Sequence, residues 1–296
     1  MVKAAFRFSL GNFECTIVSD GTFAYPYPTQ NVFINFFVNA PKEHLKQALR
    51  RHSLDPEKWN QYISPYPCLV INTGQHLVLV DTGAGNLAPT TGKLVSNLQA
   101  EGVMPEDIDR VILTHGHPDH IGGNIDKEGN PAFPKARYIM WRDEWDFWTS
   151  EPNLDELKIS DHGKETLIKV AQDSLPPLQE AIDLISHETE ILPGIRVISA
   201  PGHTPGHLVV EAVSGSNQLL YISDVVLHPI HLEEPDWYSA VATNPHQVVE
   251  TRSRILDMAS KENMLTLASH FTFPGLGYVL QKEDRWRWQP IKNLQK

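Results

Sequence analysis

The residues of this 296-residue chain best suited to chemistry crowd into one short run, His115-Gly116-His117-Pro118-Asp119-His120. In an extended segment the side chains at i and i+2 point the same way, about 6–7 Å apart along the chain. Two imidazoles so spaced can close on one ion, because zinc–nitrogen bonds are about 2.1 Å long. Asp119 and His120 lie just beyond and can turn toward a second ion. Gly116 lets the backbone bend and Pro118 stiffens it. Four ligand-type residues within six positions, following the apolar run Val111–Leu113, are unlike a scatter of solvated histidines.

Other polar residues repeat that placement. His203 follows the strand-like run Ile195–Ser199, Asp224 follows Leu219–Ile222, and His270 follows Leu265–Ala268. In layered α/β folds, strand ends gather along one edge of a sheet, which is where sites form. Further strands are expected at Phe13–Ser19, closed by Asp20-Gly21, and at Leu208–Val213 and Tyr278–Gln281. Leu69–Asn72 and His76–Asp81 flank the hairpin signal Thr73-Gly74-Gln75. Leu77–Val80 is wholly apolar, which predicts burial on both faces. Helices are expected over Lys42–Arg51, Lys93–Glu101 and Arg142–Thr149, with two or three over Leu154–Leu184, interrupted at Pro176-Pro177. Asn244-Pro245-His246-Gln247 opens another, running to about Met258.

Composition narrows the class. Hydrophobic residues at 41% and charged residues at 21% are ordinary for a soluble globular protein. No apolar run approaches the roughly 18 residues of a membrane span, and the N-terminal residues lack the apolar core of a signal peptide. A cytoplasmic protein with no membrane partner is expected. A net charge of −11 without any Lys/Arg run argues against nucleic acid as a partner. Cys15 and Cys68 sit in apolar runs without a CxxC and read as reduced core thiols. With no repeat, linker or low-complexity tract, one domain over residues 1–296 is expected.

His-x-His-x-Asp-His after a buried strand resembles the signature of the metallo-β-lactamase-fold hydrolases, and the rest of that family's pattern follows in order. Asp81-Thr82-Gly83 looks like its first motif, and His203 in Pro201–His207 like its third. Asp224 after Ser223 looks like the fourth, and His270 like the fifth. The resemblance runs from about Phe13 to Gln281 and implies an α/β fold, a four-layer αββα sandwich with a two-metal cleft along one edge. It implies two divalent metal ions per chain, zinc ahead of manganese, iron or cobalt. One would take His115, His117 and His203, and the other Asp119, His120 and His270, with Asp224 and a hydroxide bridging them. Asp119 and Asp224 are the implied catalytic carboxylates, Asp119 holding the hydroxide and shuttling a proton. Asp81 and His207 are expected behind the ligands, orienting them.

Departures from relatives refine the expectation. The β-lactamases of this fold usually lack the bridging carboxylate that Asp224 supplies. The stretch after His270 is too short for the helical domain with which glyoxalase II grips glutathione, and the flavodiiron and nuclease features are absent. Thr251–Leu256, His270-Phe271 and Phe273-Pro274-Gly275-Leu276-Gly277 resemble the subgroup containing methyl parathion hydrolase and the quorum-quenching lactonases. Where those lactonases carry a tyrosine three residues after the bridging aspartate, this chain has Leu227, then His228. The expected activity is hydrolysis of a small-molecule, apolar ester-type substrate, a lactone or aryl ester. Organophosphate triester hydrolysis is the alternative, and a di-iron redox or gas-binding protein is the rival from another class. A homodimer is the protein partner left open. Leu227, His228, Phe271 and Phe273 are expected around the substrate, joined by Phe23 and Tyr25 from a Pro-rich stretch that also holds Tyr27. Trp141, Trp145 and Trp148 recur at helical spacing and read as core packing.

Overall fold

The computed structural model describes residues 4–26, 33–56 and 61–291. Among them the chain builds two seven-stranded sheets one after the other. The first takes β1 (Ala5–Leu10), β2 (Phe13–Pro26), β3 (Gln61–Asn72), β4 (Leu77–Val80), β5 (Arg110–Ile112), β6 (Arg137–Trp141) and β7 (Ile182–Ile185), side by side in that order. The second takes β8 (Thr189–Leu192), β9 (Ile195–Ser199), β10 (Leu208–Ser214), β11 (Asn217–Ser223), β12 (Leu265–Ala268), β13 (Leu276–Lys282) and β14 (Arg285–Pro290), again in sequence order. Strands β4 to β7 run parallel, as do β11 and β12; the other neighbours are antiparallel. The helices are α1 (Phe33–Phe36), α2 (Lys42–Arg51), α3 (Leu94–Ala100), α4 (Pro118–Ile121), α5 (Arg142–Thr149), α6 (Asp161–Ser174), α7 (Ile230–Glu233) and α8 (Pro245–Lys261).

The two-residue period of a strand sorts its side chains into layers. Ile17, Ile71, Val80 and Ile112 of the first sheet meet Val197, Val210, Tyr221 and Leu267 of the second. Their chain neighbours Val18, Val70, Leu79 and Val111 face the other way, toward Leu98 of α3, Trp148 of α5 and Ala171 of α6. On the far side, Val209, Leu220 and Ile222 pack against Ile255, Leu256 and Ala259 of α8. The result is the helix–sheet–sheet–helix sandwich, and it explains why Val78, Leu79 and Val80 are apolar and buried on both faces. Cys15 and Cys68 are free, buried thiols. No helix among the described residues is long and apolar enough to cross a membrane.

Three expectations change. The strand expected to stop at Asp20-Gly21 continues to Pro26, with a bulge between Ser19 and Thr22. Asp20 breaks nothing, because its carboxylate turns inward and accepts the backbone N–H groups of Ala84, Gly92 and Leu94. Residues Leu154–Leu184 hold one α-helix, α6, then a short 3-10 turn at Pro176–Leu178 and strand β7. The apolar residues after the prolines pair with β6 rather than continuing a helix. The helix opened by Asn244 extends to Lys261, its cap formed by the Asn244 side chain accepting from Gln247 N at 3.1 Å.

Truncation between the sheets should cost far more than loss of a cap. Leu69→Ala, at a fully buried site, is expected to lose about 2–5 kcal/mol of unfolding free energy. Asn244→Ala is expected to lose about 1 kcal/mol. Urea denaturation of both variants measures the contrast.

Candidate metal centre

Loops at the ends of β4, β5, β9, β11 and β12 converge on one place. His115, His117, His203 and Asp224 offer ligand atoms within 4.8 Å of one another, and Asp119, His120 and His270 form a second such group. The first sheet supplies the run from His115 to His120, and the second supplies His203, Asp224 and His270. The sheets are stitched at this edge, where Leu208 N donates to Thr114 O at 3.0 Å. Asp81 and Ser223, each ending a strand, adopt φ of 61° and 45°. Non-glycine residues rarely occupy that left-handed region, and such strain gathers at functional sites.

Behind the ligand-type residues a hydrogen-bond network fixes which ring nitrogen faces inward. Asp81 Oδ2 accepts from His120 Nδ1 at 2.7 Å, Thr114 Oγ1 at 2.9 Å and Tyr221 OH at 3.0 Å. Since the Thr114 hydroxyl donates to Asp81, it accepts from His115 Nδ1 at 3.2 Å. His270 Nδ1 pairs with Ser64 Oγ at 2.7 Å, and Tyr62 OH donates to the His270 carbonyl at 2.7 Å. With Nδ1 engaged on each of these rings, Nε2 is the nitrogen turned toward the centre, where a cation would take it. His207 is engaged at both nitrogens, donating to Ala200 O at 3.1 Å and accepting from Asp224 N at 3.2 Å, so it orients Asp224. Ser64, Thr114, Tyr62 and Tyr221 escape a sequence reading, because a hydroxyl within or just after an apolar strand carries no motif.

Asp224 stands between the groups. Its Oδ2 lies 3.2 Å from His203 Nε2 and 3.1 Å from His270 Nε2, and its Oδ1 lies 3.3 Å from His120 Nε2. Burial would raise its pKa, but His270 and His120 outweigh burial and hold the carboxyl well below its ordinary range. Burial holds His115 and His117 well below the ordinary imidazole range, so both rings are neutral. Meanwhile His115 Nε2 and His117 Nε2 are buried without a hydrogen-bond partner. Unpaired buried polar atoms cost about 1–3 kcal/mol each. Inward lone pairs around an anionic carboxylate are a donor set that fits divalent cations.

A cleft of about 350 Å³ opens onto His117, Asp119, Asp224 and His270. Leu227 and Phe23 line it, together with Phe36, Leu87, Ile159 and Leu167, which no local pattern marked. Phe271 and Phe273 do not. Phe271 packs on Trp288 in the layer beneath α8, and Phe273 packs against the core between the sheets. A residue beside a ligand shares its place in the chain but not its direction. His228 is also outside the cleft, buried with its ring against Phe37, His52 and Tyr62. The Tyr25 side chain and Tyr27 lie outside the described residues. Gly116 is required for closeness rather than for bending, since a Cβ there would stand 2.2 Å from Trp148 Cδ1.

Two measurements follow from this geometry. Elemental analysis of protein purified without chelator is expected to approach two divalent ions per chain, and a reproducible single ion with full turnover would contradict it. The second concerns acid stability. Burial first, then His52, depresses His228 to about 3 from 6.5, and its Nδ1 accepts from Ile230 N at 3.2 Å. Between those pH values the unfolded chain binds a proton that the native ring refuses, so stability falls as pH drops from 6.5 toward 3. His228→Asn, whose Oδ1 can replace that acceptor, is expected to flatten the decline of Tm with acid. An unchanged pH slope counts against it.

Comparison with known proteins agrees with this architecture. The sequence model of the metallo-beta-lactamase superfamily matches residues 64–270. An N-acyl homoserine lactonase from Bacillus sp is 29% identical over 180 residues, covering 53% of this chain and 63% of that protein. An N-acyl homoserine lactonase from Bacillus thuringiensis is 24% identical over 257 residues, covering 79% of this chain and 92% of its own. The solved structure of AidC, a dizinc quorum-quenching lactonase in complex with a product, superposes with a TM-score of 0.87 at 27% identity, covering 98% of each chain. With a family match spanning more than half its length and the ligand-type residues gathered at the sheet edge, the chain belongs to the metallo-beta-lactamase superfamily.

Proposed function

We propose that this chain is a dinuclear metal-dependent hydrolase of uncharged, apolar esters, lactones first and aryl esters next. The observation that carries this reading is an apolar cleft opening onto a ring of imidazoles and carboxylates. Phe23, Phe36, Leu87, Ile159, Leu167 and Leu227 offer apolar walls, and no Lys or Arg is among the described residues lining the cleft. Such walls favour a hydrophobic substrate arm and offer nothing to balance an anion. The lactonase relatives support a cyclic ester as the reacting group.

His115, His117 and His203 would hold one ion and Asp119, His120 and His270 the other, with Asp224 between them. Two divalent ions, zinc first, would supply Lewis acidity for the carbonyl oxygen and bring the pKa of a water toward neutrality. The chain's own residues do the rest. Asp224 is enclosed by imidazoles and stays ionised, a fixed negative charge at the centre. Asp119 lines the cleft, its Oδ2 3.6 Å from His270 Nε2. It would take the proton released as water adds to the carbonyl carbon, and return it to the alkoxide when the C–O bond breaks. Leu227, where the lactonases of the subgroup carry a tyrosine, offers an apolar contact in place of a hydroxyl.

A substrate panel on metal-quantified protein tests the reading. An apolar lactone or aryl ester is expected to exceed a penicillin or a phosphodiester in kcat/KM by at least about a hundredfold, roughly 2.7 kcal/mol of transition-state preference. A phosphotriester as best substrate would move the assignment to organophosphate hydrolysis. A β-lactam or phosphodiester as best substrate would sink it.

A further inference from the structure

Glu144 lies in the first turn of α5, where an acidic residue usually faces solvent, yet its side chain is fully buried. Its Oε1 accepts from Gly116 N and from Trp148 Nε1, both at 2.7 Å. Its Oε2 accepts from Gly206 N at 2.8 Å. Gly116 sits between His115 and His117, and Gly206 sits three residues after His203. One carboxylate therefore joins two loops that come from different sheets. The loops also press on α5, for a Cβ on Gly206 would stand 2.4 Å from Glu144 N, and Trp148 stacks edge-on beside His117 at 5.6 Å.

We propose that Glu144 is a positioning residue for the metal centre, clamping the His115–His117 loop to the His203–His207 loop and so setting the affinity for one of the two ions. The proposal rests on the two-ion reading of the site. Its chemistry is specific to a carboxylate. All three partners are donors, and only a side chain that accepts at both ends satisfies them. Glutamine in the same place turns an NH2 group toward Gly206 N–H or toward the Gly116 and Trp148 donors, so at least one buried N–H loses its acceptor. The His115, His117 and His203 rings would then lose their common register. The second group, Asp119, His120 and His270, is braced by Asp81 and Ser64 rather than by Glu144, and should not feel the change.

The test is Zn²⁺ alone, titrated into chelator-stripped protein against a competing chromogenic chelator. Wild-type protein is expected to take up two ions. In Glu144→Gln one binding step is expected to weaken by about tenfold or more while the other stays within about twofold. Both steps unchanged, or both weakened alike, would overturn the proposal. Wild-type protein that takes up fewer than two ions would overturn the two-ion reading and the proposal together. Circular dichroism reports whether the variant folds. Should it not, Glu144→Asp keeps both acceptor oxygens but withdraws them by one methylene. It is expected to show the same one-sided loss, and wild-type affinity at both steps in that variant would equally refute the clamp.

Discussion

An ionised carboxylate, Asp224, sits almost fully buried among imidazoles that arrive from two different sheets. Removing a carboxylate from water costs several kcal/mol unless charge and hydrogen bonds offset it. Much of the surrounding structure can be read as that offset. His203 and His270 approach one of its oxygens and His120 the other. Each ring has to be held at its remaining nitrogen or by its backbone, and this explains why polar groups such as Asp81, Thr114 and Ser64 are buried in or just beyond otherwise apolar strands. The buried Nε2 atoms of His115 and His117, left without hydrogen-bond partners, are ones that cations could satisfy.

The sandwich makes that convergence available. Each sheet buries apolar residues on both faces, so its interior has no room for a polar cluster. Only at the strand ends does the backbone leave the ladder, and there Asp81 and Ser223 adopt strained left-handed φ values to aim the following loops. Parallel pairing of β4 with β5, and of β11 with β12, brings the ends carrying Asp81, His115, Asp224 and His270 to a common edge. Glu144 and the bond from Leu208 to Thr114 then join the halves across it.

Above this polar centre the cleft is apolar, and the contrast underlies the functional reading. Its walls come from β2, α1, the turn Gly85–Leu87, the start of α6 and the segment after Asp224. His231 ties two of those walls together, accepting from Leu227 N at 3.3 Å and pairing with Phe36 O at 3.0 Å. A histidine near a ligand motif thus proves to be a brace rather than a ligand, as its two satisfied nitrogens require.

The sequence by itself determined the ligand-type residues and the α/β class, while the four-layer arrangement was what the family resemblance implied. His115, His117, Asp119 and His120 are adjacent in the chain, and His203, Asp224 and His270 each follow an apolar strand, so type and spacing suffice to single them out. Strand-like runs alternating with helical patterns mark that class, and wholly apolar runs report two-sided burial. Side-chain direction and distant partners were another matter. Phe271 was next to a ligand-type residue yet points into the outer core, Gly116 answers to Trp148, and Glu144 looked like an ordinary helix residue. Phe36, Leu87, Ile159 and Leu167 meet over the site from separate segments. Only the tertiary structure decided these, because a ligand's identity is a property of one short stretch of chain, whereas a pocket wall or a buried clamp is defined by what packs opposite it.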